Sequence, residues 1–219
     1  SATSLHISNT HTNINNQFVV TGYFNHAIDF DMGSGNYTLT ASGSFGDEDV
    51  FIASYDTAGN FNWAKEIGYW YKDFATGITC DTAGNIYTSG TYSNTVDFDP
   101  GAGTSTLVGP GNFTVKLNSI GNFIWVIPYG GGPIKMDDAE NLIISGVFQN
   151  TRDFDPGSGV YNLHSAGNDD DFILSISTNH NFNWVASVAG YGVDLIQGIE
   201  AKSNAVYAVG AYQYSADFN

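Results

Sequence analysis

The sequence VVTGYFNHAIDFDMG, at residues 19–33, returns as three near-copies along the 219-residue chain. The copies read YTSGTYSNTVDFDPG at residues 87–101, IISGVFQNTRDFDPG at 143–157 and YAVGAYQYSADFN at 207–219. Each contains a glycine that is followed seven residues later by Asp-Phe, and successive copies are spaced by 68, 56 and 64 residues. Such self-similarity indicates one supersecondary unit that is stacked on copies of itself.

A second element recurs between these copies and places Asn-Phe-x-Trp after a polar turn. The segments are SYDTAGNFNW at residues 54–63, KLNSIGNFIW at 116–125 and SISTNHNFNW at 175–184. The turn contains Gly59, Gly121 or His180, which are residue types that tolerate a left-handed backbone. A short strand-like run precedes each turn, so each element is predicted to be a β-hairpin.

The glycine-bearing phrase is itself predicted to be the second strand of another hairpin, because it follows a short apolar run and a polar turn. The segments are GITCDTAGNIYTSG at residues 77–90, IKMDDAENLIISG at 134–146 and GIEAKSNAVYAVG at 198–210. One unit therefore comprises four strands. No segment shows a sustained helical period, so we expect an all-β chain.

Four short antiparallel strands in each repeat are typical of a β-propeller blade. We expect one propeller segment over residues 1–219, with three complete repeats and a half repeat. The repeats are predicted at approximately residues 4–68, 77–130, 133–190 and 197–219. The tryptophans of the Asn-Phe-x-Trp segments are expected at equivalent positions, where they seal neighbouring blades. These are Trp63, Trp125 and Trp184.

The middle copies resemble a known repeat family. The motifs GNIYTSGTY, VDFDPGAG and TVKLNSIGNFIW, between residues 84 and 125, are similar to those of the SBBP family, the seven-bladed β-propeller repeat. The resemblance covers nearly the whole chain and is strongest over residues 77–190. It implies an exported or cell-surface bacterial protein, in which such repeats often stand beside adhesion-type domains. With three and a half units present, the seven-blade count does not carry over.

The last repeat is predicted to form an incomplete blade. Residues 197–219 supply two strands of a fourth unit, and no Asn-Phe-x-Trp hairpin follows Asp217. An unpaired strand edge and an uncovered blade face are features that natural proteins seldom leave open. We therefore expect missing blade strands or a partner chain at this C-terminal edge, as in a portion of a longer propeller.

Charge limits the classes of partner. The chain has 22 acidic and 6 basic residues, which give a formal net charge of −16. This balance argues against nucleic acid or an anionic membrane as a partner. No apolar run approaches the ~20 residues of a membrane-spanning helix, so membrane insertion is not expected. The single cysteine, Cys80, is predicted to be a small buried apolar residue.

The repeated Asp-x-Asp-x-Gly pattern is the best candidate for a metal site. Two carboxylates beside a tight turn can begin a calcium site, which backbone carbonyls or water would have to complete. The alternative is a turn in which the aspartates accept backbone N–H bonds and the intervening phenylalanine anchors the loop. The candidate calcium ligands are Asp29, Asp31, Asp97, Asp99, Asp153 and Asp155.

Two further acidic runs precede the third strand of a unit, at residues 47–49 and 169–171. Three adjacent carboxylates repel one another unless they are solvated or neutralised by a cation. We expect solvated loops at both places. The equivalent stretch of the middle unit, GPGN at residues 109–112, contains no acidic residue.

Sequence patterns of catalysis are missing: there is no Gly-x-Ser-x-Gly, His-Glu-x-x-His or phosphate-binding loop. The leading hypothesis is a non-enzymatic extracellular scaffold or adhesion module that binds a protein or glycan at the cell surface and is stabilised by calcium. The alternative is a carbohydrate-binding propeller that uses Tyr69, Trp70 and Tyr71, a cluster unique to the first unit. A glycosidase or lyase is a third and weaker alternative, since propellers host such enzymes.

Overall fold

The structure is a computed structural model that describes residues 3–13, 16–43, 46–166, 169–190, 192, 194–202, 205–213 and 216–218. The described residues form 21 strands and contain no helix, which confirms the all-β prediction. Accordingly, no helix in this part of the chain is long and apolar enough to cross a membrane.

The strands follow the chain in this order: β1 Leu5–Thr12, β2 Gln17–Phe24, β3 Ala27–Asp29, β4 Thr38–Thr40, β5 Asp49–Asp56, β6 Phe61–Ile67, β7 Phe74–Cys80, β8 Ile86–Tyr92, β9 Val96–Asp97, β10 Thr106–Leu107, β11 Gly111–Leu117, β12 Phe123–Ile127, β13 Ile134–Met136, β14 Asn141–Phe148, β15 Thr151–Asp153, β16 Asn162–His164, β17 Asp170–Ser177, β18 Phe182–Gly190, β19 Leu195–Lys202, β20 Ala205–Ala211 and β21 Ala216–Phe218.

The chain divides into two compact units, Ser1–Pro128 and Tyr129–Asn219. The first unit contains two antiparallel four-stranded sheets, ordered β1-β2-β5-β6 and β7-β8-β11-β12. The second contains the sheet β13-β14-β17-β18, to which β21 adds a fifth strand, and the two-stranded sheet β19-β20. Three blade-like sheets and a further strand pair confirm the predicted three and a half repeats.

The repeat glycine has the same partner in each complete blade. It lies opposite a phenylalanine of the third strand, in the pairs Gly22↔Phe51, Gly90↔Phe113 and Gly146↔Phe172. A Cβ atom on Gly90 would lie 2.1 Å from the Phe74 carbonyl oxygen and 2.7 Å from the Phe113 ring. Only glycine fits, because the neighbouring backbone and the aromatic ring already fill the space of a side chain.

A short hairpin that the sequence analysis did not predict lies between the second and third strands of each blade. These hairpins are β3-β4, β9-β10 and β15-β16, and each carries the Asp-Phe motif. The phenylalanines of the motif, Phe30, Phe98 and Phe154, are 4%, 0% and 0% exposed. Each ring therefore anchors its hairpin on the blade core.

In the first unit the two sheets pack face to face. One core cluster joins Val50, Ile52 and Ile67 of the first sheet to Phe113 and Val115 of the second. The phenylalanine opposite the repeat glycine thus faces the preceding blade. This contact buries the apolar face of both sheets, which is the main stabilisation available to stacked blades.

The three tryptophans occupy equivalent register positions, as predicted. The pairs are Ser54↔Trp63, Lys116↔Trp125 and Ser175↔Trp184, and the register shifts immediately beyond each of them. The Trp63 indole N–H donates to the Ser119 carbonyl oxygen at 3.1 Å, so this ring joins its blade to the next one.

Candidate functional site

The first Asp-x-Asp turn is closed by hydrogen bonds from the backbone to both carboxylates. Asp29 Oδ1 accepts the N–H groups of Asp31 at 3.0 Å and Tyr37 at 2.8 Å. Asp31 Oδ1 accepts the N–H of Gly33 at 2.8 Å. The first aspartate thus holds the hairpin together and the second closes the tight turn, as in the turn alternative.

The other two copies repeat this geometry. Asp97 Oδ1 accepts the Ser105 N–H at 2.7 Å, and Asp153 Oδ1 accepts the Tyr161 N–H at 2.8 Å. Asp99 and Asp155 close their own glycine turns at 2.8 and 2.7 Å. Among the described residues, no group of three or more His, Cys, Asp or Glu side chains could hold a metal ion. Calcium at the six aspartates stays a prediction.

The expectation of solvated acidic loops is wrong for three carboxylates. Asp49, Asp170 and Asp171 are 0%, 0% and 1% exposed. Asp170 Oδ1 accepts the Gly190 N–H at 3.0 Å, a bond to the end of the neighbouring strand β18. Asp49 and Asp170 begin the third strand of their blades, where residues at the end of the fourth strand cover them, and that covering cannot be read from charge alone.

Two further buried carboxylates were missed by the sequence analysis. Asp73 and Asp194 precede the first strand of a unit and are 1% and 0% exposed. Asp73 Oδ1 accepts the Ser93 N–H at 3.0 Å, and Asp194 Oδ1 accepts the equivalent Gln213 N–H at 3.2 Å. Each therefore ties the loop after a glycine-bearing strand. Their spacing could have indicated them in the sequence, because each lies 24 residues after an aspartate that begins a third strand, Asp49 or Asp170.

Burial shifts the protonation of these carboxyl groups. The pKa of Asp49 is raised to about 8, mainly by desolvation. A backbone hydrogen bond from Ser42 opposes this rise, and the nearby Glu66 carboxylate adds to it. Desolvation likewise raises the pKa of Asp73 to about 6 and that of Asp171 to about 7. All three therefore titrate above the usual range of aspartate.

The aromatic cluster of the first unit is exposed. Tyr69, Trp70 and Tyr71 are 52%, 45% and 59% exposed, in the loop between β6 and β7. The Tyr69 and Trp70 ring centroids are 6.1 Å apart. Tyr71 has a φ of +78°, a left-handed conformation that non-glycine residues rarely adopt.

Hydrogen bonds to Glu48 hold the C-terminal end of this aromatic loop. The Glu48 N–H donates to the Tyr71 carbonyl oxygen at 3.1 Å, and the Asp73 N–H donates to the Glu48 carbonyl oxygen at 2.7 Å. The Lys72 ammonium group donates to the Glu48 carboxylate at 2.8 Å. Three adjacent aromatic rings are therefore displayed on a backbone whose conformation is set before any ligand arrives.

The single cysteine is chemically inert in this fold. Cys80 is buried, as predicted, and desolvation raises the pKa of its thiol to about 12, so the thiolate is not populated at neutral pH.

On the outer face of the first sheet, a groove of about 500 Å³ is lined by apolar side chains that include Leu5, Ile7 and Phe18. These three are 47%, 56% and 37% exposed.

Comparison with known proteins agrees with the fold. Residues 62–98, which run from β6 to β9, match the family model of the SBBP β-propeller repeat. The chain is also 37% identical over 62 residues to an uncharacterized WD repeat-containing protein of Acanthamoeba polyphaga mimivirus. That match covers 28% of this chain and 4% of the viral protein, so the chain spans a small part of that relative. The described part of the chain is all-β with blade-like four-stranded sheets, and residues 62–98 within it match the SBBP β-propeller repeat.

Proposed function

We propose that this chain is a non-enzymatic binding scaffold, exposed outside the cell, that holds a protein or glycan partner. The carrying observation is the loop of Tyr69, Trp70 and Tyr71, which is exposed and fixed by hydrogen bonds. Large aromatic side chains on a preorganised backbone bind with little loss of conformational freedom. The net charge of −16 supports solubility and disfavours anionic partners.

A binding assay on cell-surface extracts or isolated surface proteins tests this role. We expect Trp70→Ala to weaken binding about tenfold or more, the range of an interface hot spot. Tyr161→Ala is a suitable control, because Tyr161 is an aromatic residue of similar exposure (46%) in the loop between β15 and β16. Equal loss in both variants, or no loss in either, would contradict a role for the aromatic loop.

A carbohydrate ligand is the second candidate, and the same three aromatic rings favour it. Aromatic faces present an apolar surface with a polar edge, which suits the C–H face of a sugar ring. A glycan array distinguishes the candidates: saturable binding without turnover selects a lectin-like module. Release of cleaved product would instead establish a glycosidase or lyase and overturn the non-enzymatic assignment.

We further propose calcium as a stabilising ion at the Asp-x-Asp turns, where two carboxylates stand beside a glycine turn in three hairpins. An ion that binds only the folded state raises the melting temperature as its concentration increases. We expect calcium to stabilise chelator-treated protein, and Asp97→Asn to reduce that gain. An unchanged melting curve up to millimolar calcium would refute this proposal.

A further inference from the structure

The outer edge of β20 has the features of an unfilled strand-pairing site. We propose that this edge and the groove beside it bind a β-hairpin from polypeptide outside residues 1–219, with a phenylalanine placed opposite Gly210. The same interface is formed three times within the chain, where a glycine-bearing strand pairs with the third strand of its blade. The proposal extends that interface to the fourth copy and does not depend on the aromatic loop.

Exposure separates β20 from its three counterparts. Within the described residues, β20 pairs with β19 alone. Tyr207 and Val209, three positions and one position before the repeat glycine, are 63% and 68% exposed. The residues at the same positions in the other copies are 0–1% exposed: Val19, Thr21, Tyr87, Ser89, Ile143 and Ser145. In the complete blades these positions are covered, and in the fourth copy they are open.

Gly210 has one of the two close contacts found at the other repeat glycines. A Cβ atom built on it would lie 2.1 Å from the Leu195 carbonyl oxygen, so the contact with the first strand of the unit is present. At Gly22, Gly90 and Gly146 a phenylalanine ring also lies within 2.7–3.2 Å of that point. The three nearest heavy atoms at Gly210 all belong to β19. A phenylalanine ring could therefore pack against Gly210 as it does at the other three glycines, and no phenylalanine ring is among the nearest atoms at Gly210 in the described part of the chain.

A groove lies where that ring would pack. It has a volume of about 520 Å³ and is bounded by β17 and β18 on one side and by β19 and β20 on the other. Ile173 and Val188 line it, and their register positions match Ile52 and Ile67 of the first blade. In the first unit those two positions belong to the core cluster that contains Phe113 of the following blade. The groove is thus the equivalent of a filled blade interface.

The exposure of Trp184 is independent evidence for the same pairing site on β20. Its counterpart Trp63 donates to the Ser119 carbonyl oxygen, and the Trp63 ring lies within 3.0 Å of the Cβ position of Gly121. Both contacts are to the turn between the third and fourth strands of the next blade. Trp184 is 39% exposed. A hairpin paired with β20 would bring the same kind of turn over this ring.

The three existing hairpins define the occupant. The run FIASY begins at Phe51, FTVKL at Phe113 and FILSI at Phe172. The first, third and fifth residues lie on one face of a strand, and each run places an aromatic residue and two further apolar or aromatic residues there. In the second blade this face packs on the preceding blade. Asn-Phe-x-Trp follows in each case. The occupant is therefore an antiparallel hairpin with Phe-x-apolar-x-apolar in its first strand, bound by β-augmentation.

A labelled synthetic peptide that reproduces residues 111–127 serves as the probe, and its binding to the whole chain is measured by fluorescence anisotropy. We expect saturable binding, and protection of the β20 amides from hydrogen exchange. Alanine in place of the phenylalanine equivalent to Phe113 should weaken binding at least tenfold. Absence of binding, or equal affinity of both peptides, overturns the proposal without affecting the function proposed for the aromatic loop.

A variant of the chain tests the location. Ala208 lines the groove and is exposed, so Ala208→Arg should place a charge in the groove and abolish peptide binding. Val108→Arg is the matched control, because Val108 is 80% exposed in a loop of the first unit, and it should bind as the parent does. Binding that survives Ala208→Arg contradicts the site. Sedimentation that shows dimers lost in the same variant assigns the edge to a second copy instead and also overturns the proposal.

Discussion

Asp49 is the first residue of β5, and its side chain is buried although it carries an ionisable carboxyl group. The residue is 0% exposed, and its side chain accepts a backbone hydrogen bond from Ser42. Asp171 has the same kind of environment, and its Oδ2 atom is buried without a hydrogen-bond partner among the described residues. Burial favours the neutral form of such carboxyl groups, since the charged form loses its hydration.

Stability should therefore fall as the pH rises above the acidic range. The pKa of Asp49 is about 8 in the folded chain, above the ordinary aspartate value of 3.8, so folding favours the protonated form. Its contribution to stability is fully present below pH ~4 and is lost as the pH rises to about 8. We expect Asp49→Asn to flatten the decline of the melting temperature between pH 5 and 8.

The half-buried Asp56 supplies the control for that measurement. Hydrogen bonds from Asn60 lower the pKa of Asp56, so its stabilising effect is lost only when the pH falls. Asp56→Asn should leave the decline between pH 5 and 8 intact. If Asp49→Asn and Asp56→Asn show the same profile as the parent chain, the burial of Asp49 does not control the pH dependence.

At the scale of strands and blades, the repeat conserves contacts between elements. The glycine of the second strand, the phenylalanine of the third and the tryptophan of the fourth meet neighbouring strands or the next blade. Because each contact has a partner in another element, the residue type is retained at each copy. The side chains of residues 69–71 lie outside these contacts and form the aromatic cluster that is unique to the first unit.

Because Trp63 joins two blades and Trp184 is partly exposed, we expect their replacement by alanine to lower the free energy of unfolding by different amounts. Trp63→Ala removes a ring that packs on the next blade and an indole hydrogen bond, and we expect a loss of about 3 kcal/mol. Trp184→Ala affects a ring that is 39% exposed, and we expect a loss below about 1 kcal/mol. Urea denaturation measures both. Equal losses would show that the two rings contribute alike.

Across the whole molecule, carboxylates greatly outnumber cations. Three ion pairs join described residues: Lys72–Glu48, Lys116–Asp81 and Lys135–Glu200. Many of the other acidic side chains accept backbone N–H bonds in turns, as Asp29, Asp56 and Asp137 do. The turns provide hydrogen bonds to individual carboxylates, but the net charge of −16 remains, and the excess carboxylates repel one another.

Salt should therefore stabilise the folded chain. Screening reduces repulsion between exposed charges that are more than about 10 Å apart at 0.1 M ionic strength. We expect that raising sodium chloride from low to physiological concentration adds about 1 kcal/mol, seen as an increase of roughly 2–4 °C in melting temperature. A neutral solute at equal osmolality is the control. A melting temperature that is unchanged or lowered by salt would contradict the role of net charge.

The strands and their order could be predicted from sequence because they depend on local patterns. The copies around Gly22, Gly90 and Gly146 and the Asn-Phe-x-Trp turns mark each hairpin within about fifteen residues, and the structure confirms them. The short hairpins whose first strand ends at Asp29 and its equivalents escaped prediction. Their strands of two or three residues are too short to show a period, and the buried phenylalanine and the first aspartate of the motif hold them in place.

The candidate sites depended more heavily on long-range contacts. The acidic runs looked solvated in sequence, yet Asp49 and Asp170 are buried, since the ends of other strands cover them. Asp217 belonged to the repeated phrase, yet its strand β21 pairs with β18 of the third blade. Local residue pattern specifies which segments become strands and how each hairpin turns. Burial, protonation and the open edge of β20 follow from which distant segments come together, because desolvation and strand pairing are properties of contacts between them.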